Sequence, residues 1–330
     1  MSNISDVAKK AGVAVSTVSR LINASGPVSA QSRKKIREAM EELNYIPNHV
    51  AKSLRSKETR MIGILIPDLN NGAYIDLIKD AEIALKEKMY IPVISSTSGE
   101  FEREAELIYR FLTHRFDGMI FYTYNIGRDT LDFYKALTDR IPCVFMDQCD
   151  GELPIDQVYT DGKLGLCMAT KYFIDKGHER IGLVSGNKSV TVPRLHGYLE
   201  ALDQAGLESD PELIFECSFE YADGINAGHY FANLADRPTA IVSISDVLAI
   251  ATLRGMKECG LRVPKDVEII GFDDLSYSSM LETTLSTLAQ PFGAMGRTAV
   301  DKLISRINNP ELPYSKTVYK PELILRESTK

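Results

Sequence analysis

Apolar positions recur at helical spacing over roughly the first 45 residues, then change from Met61 onward to short unbroken runs separated by longer helical stretches. In Asp6–Ala11, Val7, Ala8 and Ala11 share one helix face, and Ser5 stands where an N-cap is expected. Gly12 permits a sharp turn through Val13 and Ala14. A second run keeps Val18, Leu21 and Ile22 apolar while Ser16, Thr17, Ser19, Arg20 and Asn23 are polar. Two short helices around so tight a turn read either as an ordinary αα-hairpin or as a helix-turn-helix, whose second helix fits a DNA major groove. A third helix over Ala30–Leu43, capped by Ser29, puts Ile36, Met40 and Leu43 on one face and closes a three-helix core. In "YIPNHVAKSLRSKET", Pro47 fixes the entry, Asn48 can cap, and Val50, Ala51 and Leu54 share a face. A segment this short is not helical alone in water, so it reads as a conditional helix, with a plain linker as the alternative.

Beyond Met61, "MIGILIP", "IPVISS", "DGMIFYT", "PCVFMD", "RIGLVSG", "TAIVSI" and "VEIIGFDD" read as buried strands. Helical runs such as Tyr74–Met89, Glu102–Arg115, Thr191–Ala205 and Asp246–Cys259 lie between them. That alternation predicts parallel sheets built from βαβ units. About ten strands fit two doubly wound lobes better than one very wide sheet. In such sheets ligands bind beyond the carboxyl ends of the strands, so the residues just after each strand are the candidates for chemistry.

Composition bounds the class. With 44% hydrophobic and 25% charged residues the 330-residue chain is globular in type. It has neither an apolar run long enough to span a bilayer nor a signal-peptide core, which predicts a cytoplasmic protein without membrane association. Cys143, Cys149, Cys167, Cys217 and Cys259 are scattered with no C-x-x-C pair, fitting free thiols and neither a disulfide frame nor a zinc site. Charge sharpens the picture. Residues 1–60 carry 11 Lys and Arg against 5 Asp and Glu, and the other 270 carry 27 against 40, so a head of +6 sits on a body of −13. That split is the electrostatic footprint of nucleic-acid binding confined to one end.

The stretches "DVAKKAGVAVSTVSRLIN", "NYIPNHVAKSLRS" and "IGFDD" followed by "LSTLAQP", in that order, resemble the lactose-repressor family of bacterial transcription regulators. The resemblance implies an all-α helix-turn-helix headpiece over 1–46, a hinge helix and linker over 47–60, and an effector-binding, dimerising core over 61–330. That core would be α/β, two doubly wound parallel-sheet lobes like those of periplasmic binding proteins. It further implies a homodimer on palindromic operator DNA, a small effector and no cofactor. Nothing follows "ILRESTK", so the extra helix that makes some relatives tetrameric is expected to be missing. In the headpiece, Val15, Ser16 and Arg20 match positions facing base edges, where an arginine can reach guanine with two hydrogen bonds. Thr17, Asn23, Ser29, Tyr45 and Asn48 match phosphate-contacting positions. Leu54, with Ala51 on the same hinge face, matches the leucine that wedges between base pairs in the minor groove. Ala14 departs from the family's usual serine cap.

In the core, Asp273 in "GFDD" matches a carboxylate that accepts from sugar hydroxyls, and Arg194 in "PRLHGYLEAL" matches the arginine that donates to the ligand. Asp147 and Phe219 match positions that hydrogen-bond to and stack on the effector, and Tyr74 and Gln290 fall where pocket walls occur. Each has an ordinary reading by itself: Asp273 as a turn cap, Arg194 as a helix-start residue, Phe219 as core. Ser245 shortens an arm that is asparagine in many sugar-responsive relatives, and Tyr122 replaces a small amide. With no tryptophan in the chain, any stacking platform is Tyr or Phe. Rival classes have less support. His178 in "KGHERIG" fits a turn after a helix better than a general base, and no G-x-S-x-G, P-loop or dinucleotide fingerprint occurs in context. Asp273–Asp274 lacks His or Cys at ligand spacing. A transport-type sugar-binding protein would not carry the basic headpiece. The expectation is a repressor of a carbohydrate-utilisation operon responding to a small sugar or phosphosugar, with a catabolite-type regulator using a protein corepressor as the alternative.

Overall fold

The computed structural model describes residues 2–23, 26–45, 58–127, 129–148, 153–186 and 191–330. They form two compact units, Met1–Thr59 and Arg60–Lys330.

The first unit holds α1 (Ile4–Ala11), α2 (Val15–Asn23) and α3 (Ala30–Glu42). Its core is the face foreseen in the sequence: Val7, Ala8, Ala11, Val18, Ile36 and Ala39 are buried, with Leu21, Ile22, Met40 and Tyr45 packed on them. Asn3, and not Ser5, caps α1. Its side chain accepts from the Ser5 and Asp6 amides at 2.8 and 3.1 Å, and Asp6 accepts from the Asn3 amide at 2.9 Å. This reciprocal box engages three backbone donors together, which a single serine cap cannot do. Gly12 closes the helix at φ +64°, a conformation costly for other residues. Ser29 caps α3 through the Ser32 amide at 3.1 Å. By contrast, α2 starts on the Ala14 carbonyl, which accepts from Thr17 at 2.9 Å, and its methyl side chain offers no acceptor. Ala14→Ser should supply one and stabilise the headpiece by about 1 kcal/mol. Amide exchange at Val18 in the full chain should then slow roughly fivefold, and an unchanged rate would refute the cap.

The second unit contains two six-stranded sheets. In the first lobe β1 (Met61–Ile66), β2 (Ile91–Ser96), β3 (Gly118–Phe121), β4 (Cys143–Phe145), β5 (Asp156–Thr160) and β11 (Lys316–Tyr319) run parallel in the order β11-β5-β4-β3-β1-β2. Helices α4 (Ala73–Glu87), α5 (Phe101–Thr113), α6 (Leu131–Thr138) and α11 (Phe292–Asn308) belong to it. In the second lobe β6 (Ile181–Gly186), β7 (Ile214–Cys217), β8 (Ala240–Ser243), β9 (Glu268–Asp273), β10 (Ser286–Ala289) and β12 (Glu322–Ile324) have the order β12-β10-β9-β8-β6-β7, with β12 alone antiparallel. Its helices are α7 (Gly162–Asp175), α8 (Val192–Gln204), α9 (Tyr221–Asn233) and α10 (Asp246–Glu258).

The chain crosses between lobes three times, after β5, after β10 and after β11. The twelve strands exceed the ten or so expected, because β5 (DQVYT) and β10 (STLA) are buried yet polar, and β11 and β12 are short edges. Polar burial in β5 has a partner: Asp156 pairs with Arg306 of α11 at 2.9 Å, both nearly inaccessible. Asp156 also accepts from the Ser315 amide at 3.0 Å, and Arg306 donates to the carbonyls of Pro310, Leu312 and Pro313. The guanidinium lies 4.2 Å from the Tyr314 ring centroid. This network fastens the loop leading into β11.

Candidate functional site

The carboxyl ends of both sheets meet across one cleft, and the residues just beyond those ends line it. From the first lobe come Asn71 and Tyr74 after β1, and Tyr122 and Tyr124 after β3; from the second come Arg194, Phe219, Ser245 and Asp273, with Phe292 at the start of α11. Of the sequence-predicted residues, Tyr74, Arg194, Phe219, Ser245 and Asp273 therefore converge. Asp147 and Gln290 are not among these lining residues. Gln290 donates to Asp273 at 2.7 Å, orienting the carboxylate.

Each side chain is held by its local structure. Asn71 accepts from the Ala73 amide at 3.0 Å, opening α4 and turning Tyr74 inward. The Tyr74 and Tyr124 hydroxyls are 2.6 Å apart, and the Tyr124 ring stacks on Phe219 of the opposite lobe with centroids 4.9 Å apart and planes at 8°. Arg194 donates to the Ile244 carbonyl at 2.6 Å and lies 4.3 Å from the Phe272 ring centroid, so its head is fixed with donors to spare. Ser245 is the N-cap of α10, accepting from the Leu248 amide at 3.3 Å, so its hydroxyl is engaged in the fold. Asp273 has φ +134° and Asp274 +60°, left-handed values that cost a non-glycine residue and turn the chain abruptly at the strand end.

Electrostatics set the donors and acceptors. Burial raises the pKa of Asp147, opposed by the Arg194 charge, and its Oδ2 is buried without a hydrogen-bond partner. Burial also raises Asp273, and the neighbouring Asp246 carboxylate pushes the same way, while Arg194 and Gln290 pull it down. Asp246 is a residue that sequence reasoning missed. Fully buried, it accepts from the Leu275 amide at 2.9 Å, from Ser278 at 2.6 Å and from Thr287 at 2.5 Å, anchoring the turn after β9. Tyr124 and Asn71 were missed too; a tyrosine two residues after another and an asparagine in a loop carry no distinguishing pattern. Burial raises the pKa of Tyr74 and Tyr122 well above the usual value, so both hydroxyls stay protonated.

Alternative chemistries find no support in the geometry. His178 lies 2.8 Å from the Thr239 hydroxyl and 3.6 Å from Glu268, at the other end of the strands from the cleft. Asp274 is paired with Arg326 at 2.6 Å, and no cluster of three metal-ligating side chains occurs among the described residues. Cys143, Cys167, Cys217 and Cys259 are unpaired.

On the headpiece, Val15 is 42% exposed, Ser16 and Arg20 are exposed, and Thr17 is half-buried. Arg20 folds back to donate to the Ser16 carbonyl at 3.3 Å. The Ser29 hydroxyl is exposed while it caps α3, and Tyr45 is half-buried against the headpiece core. Asn48, Ala51, Leu54 and the side chain of Asn23 lie outside the described residues, as does most of the expected hinge.

Residues 3–48 match the family of bacterial regulatory proteins of the lacI type, and residues 170–329 match a periplasmic-binding-protein-like domain. The chain is 35% identical to the ribose operon repressor of Haemophilus influenzae over 99% of its length and 98% of the relative's. It belongs to the lacI family. A second lacI-family relative, the transcriptional repressor PurR of Photobacterium profundum, is 32% identical over 100% of this chain and 99% of its own. The lac repressor dimer bound to operator and an anti-inducer superposes with a TM-score of 0.88, at 27% identity, covering 99% of both chains. As a member of the lacI family the chain is a DNA-binding transcriptional repressor controlled by a small effector, and not an enzyme. Among the described residues no helix is long and apolar enough to cross a membrane.

Proposed function

We propose that this repressor controls a carbohydrate-utilisation operon as a homodimer and takes its sugar effector in the cleft between the core lobes. The observation that carries the reading is the convergence of Arg194 and Asp273, a fixed donor and an oriented acceptor, beside aromatic faces. Such a mixture suits a polyol, whose hydroxyls both give and accept hydrogen bonds while its C–H face stacks on a ring. The name of the ribose operon repressor agrees with it. A purine base is the competing ligand, after PurR. Titration calorimetry of the full chain with ribose and related sugars, and with purine bases, separates them: a base binding where sugars do not would overturn the proposal.

Residues 1–46 would bind operator, 47–60 would order as a hinge on DNA, and 61–330 would bind effector and dimerise. Effector then acts by biasing the lobe arrangement and so the ordering of paired hinges, with operator altering effector affinity by the same factor. For the second copy we assign the exposed apolar face of α4 and the edge strand β2, where Ile75 is 59% and Ile91 62% exposed, with Ile83, Met89 and Ile94 nearby. An open strand edge flanked by isoleucines is a surface that otherwise aggregates. A fragment starting at Met61 should therefore sediment as a dimer and bind effector without operator affinity; operator binding by it at moderate salt would refute the division.

Val15, Ser16 and Arg20 would read bases, while Thr17, Ser29, Tyr45, Asn23 and Asn48 would contact phosphates and Ala51 and Leu54 the minor groove. Arg20→Ala is expected to cost about 1–3 kcal/mol on the cognate operator and to blur one base position. Thr17→Ala should weaken all sequences alike. Band-shift titrations on cognate and scrambled duplexes check this, and equal losses for Arg20→Ala would make it a backbone contact.

A further inference from the structure

Resting on the proposed effector cleft, we infer that Glu104 is the positioning residue that sets where Tyr124 stands in it, by gripping the residue on either side. Glu104 belongs to α5, is fully buried and is not itself a lining residue of the cleft. Its Oε2 accepts from the Thr123 hydroxyl at 2.5 Å and from the Asn125 side-chain amide at 2.9 Å. Its Oε1 faces the Tyr134 hydroxyl at 2.7 Å. Thr123 in turn accepts from the Asn125 backbone amide at 3.0 Å, and Thr130 donates to the Asn125 carbonyl at 2.5 Å. One carboxyl oxygen thus ties positions 123 and 125 together, and Tyr124 is the residue between them.

Side chains alternate on and just beyond β3, which gives this tie its effect. Phe121 packs with residues of α5 and α6, and Thr123 and Asn125 reach Glu104 of α5. Tyr122 and Tyr124 belong to the other face. There Tyr124 meets Tyr122 edge to face at 6.1 Å, holds the Tyr74 hydroxyl at 2.6 Å and lies parallel to Phe219 of the second lobe. Those contacts orient the ring, and the Glu104 bonds fix the backbone that carries it. A carboxyl is costly to bury, and an aliphatic side chain would fill the space between α5 and β3 without that cost. What Glu104 adds is one oxygen able to accept from both flanks of Tyr124. It does so in either protonation state, because a proton on Oε1 can be given to the Tyr134 oxygen.

Fluorine NMR of the full chain labelled with 3-fluorotyrosine tests this without a ligand. The Tyr124 resonance is the one lost in Tyr124→Phe, and Phe219→Ala gives its shift when the stacking partner is gone. Glu104→Leu and Thr123→Val should both move it towards that value. Glu104→Gln should leave it near wild type, since the amide oxygen can take the Oε2 place while the nitrogen donates to Tyr134. Tyr134→Phe removes the Oε1 partner and neither flank of Tyr124, so it should leave the resonance in place as well. Equal displacement by Thr123→Val and Tyr134→Phe would make Glu104 a support of the lobe alone and overturn the inference. So would an unmoved resonance in Glu104→Leu. If Glu104→Leu does not fold, the contrast between Thr123→Val and Tyr134→Phe decides. Titration calorimetry with ribose reads the effect on the cleft. Glu104→Leu and Tyr124→Ala should each weaken ribose about tenfold, and the two together no more than the larger single loss, as residues acting through one another do. Fully additive losses would show that Glu104 does not act through Tyr124. If ribose does not bind the wild type, the sugar reading fails, and the fluorine spectra still decide the role of Glu104.

Discussion

Replacing Arg306 by Met should lower the unfolding free energy of the core by about 3–5 kcal/mol, the loss typical of leaving one member of a buried ion pair unpaired. Methionine keeps much of the aliphatic volume between α11 and β5, so the effect isolates the charge. Asp156 would remain buried with only the Ser315 amide and hydroxyl to solvate it. Three carbonyls ahead of β11, those of Pro310, Leu312 and Pro313, would lose their donor as well. Urea unfolding followed by far-UV circular dichroism measures the change. Adding Asp156→Asn should restore part of it, since a buried pair replaced by neutral groups is often nearly neutral in stability. A loss below about 1 kcal/mol would place the pair among exposed salt bridges.

In the cleft, Arg194→Ala or Asp273→Ala should each lower effector affinity by roughly 10- to 150-fold, equivalent to about 1.5–3 kcal/mol for a charge-assisted hydrogen bond. The two substitutions differ in what they leave behind. Without Arg194, Asp147 and Asp273 lose the one positive charge that opposes their burial, so both should be protonated at higher pH than in the wild type. Without Asp273, Gln290 loses its acceptor and Arg194 remains tied to Ile244. Effector titrations of both variants read the loss, and operator titration without effector reads the rest of the protein. Near-wild-type effector affinity in both would mean that the effector binds elsewhere.

Much of this was legible in the chain. Helix and strand periodicity located the headpiece core down to Val7, Val18 and Ile36, because those positions answer to a single buried face. The resemblance to the lactose-repressor family led to Tyr74, Arg194, Phe219, Ser245 and Asp273, and their place in the cleft agrees with the rule that ligands sit beyond strand ends. What escaped depends on partners distant in sequence. Asp246 looks like a helix-start residue until Ser278 and Thr287 come round to it from 32 and 41 positions away. Gln290 reads as a pocket wall, and the bond by which it orients Asp273 from 17 positions away has no local signal. The cap of α1 escaped for a smaller reason: Asn3 and Ser5 are both good caps, and the reciprocal bond from Asp6 decides between them.

The order in which the chain is made matters to its topology. Ser315, which hands β11 to the first sheet, meets Asp156 at a separation of 159 residues, and β12 reaches the second sheet only after that. A ribosome adding about 5–20 residues per second therefore leaves the β5 edge of the first lobe open for roughly ten to thirty seconds, and the β10 edge of the second, which waits only for β12, for roughly two to seven. Over those intervals β5 and then β10 expose unpaired backbone, an invitation to strand addition by another nascent chain. Their polar sequences, DQVYT and STLA, are poor seeds for it. The composition that hid these strands from a hydrophobic reading also makes the half-made protein's open edges less prone to pair.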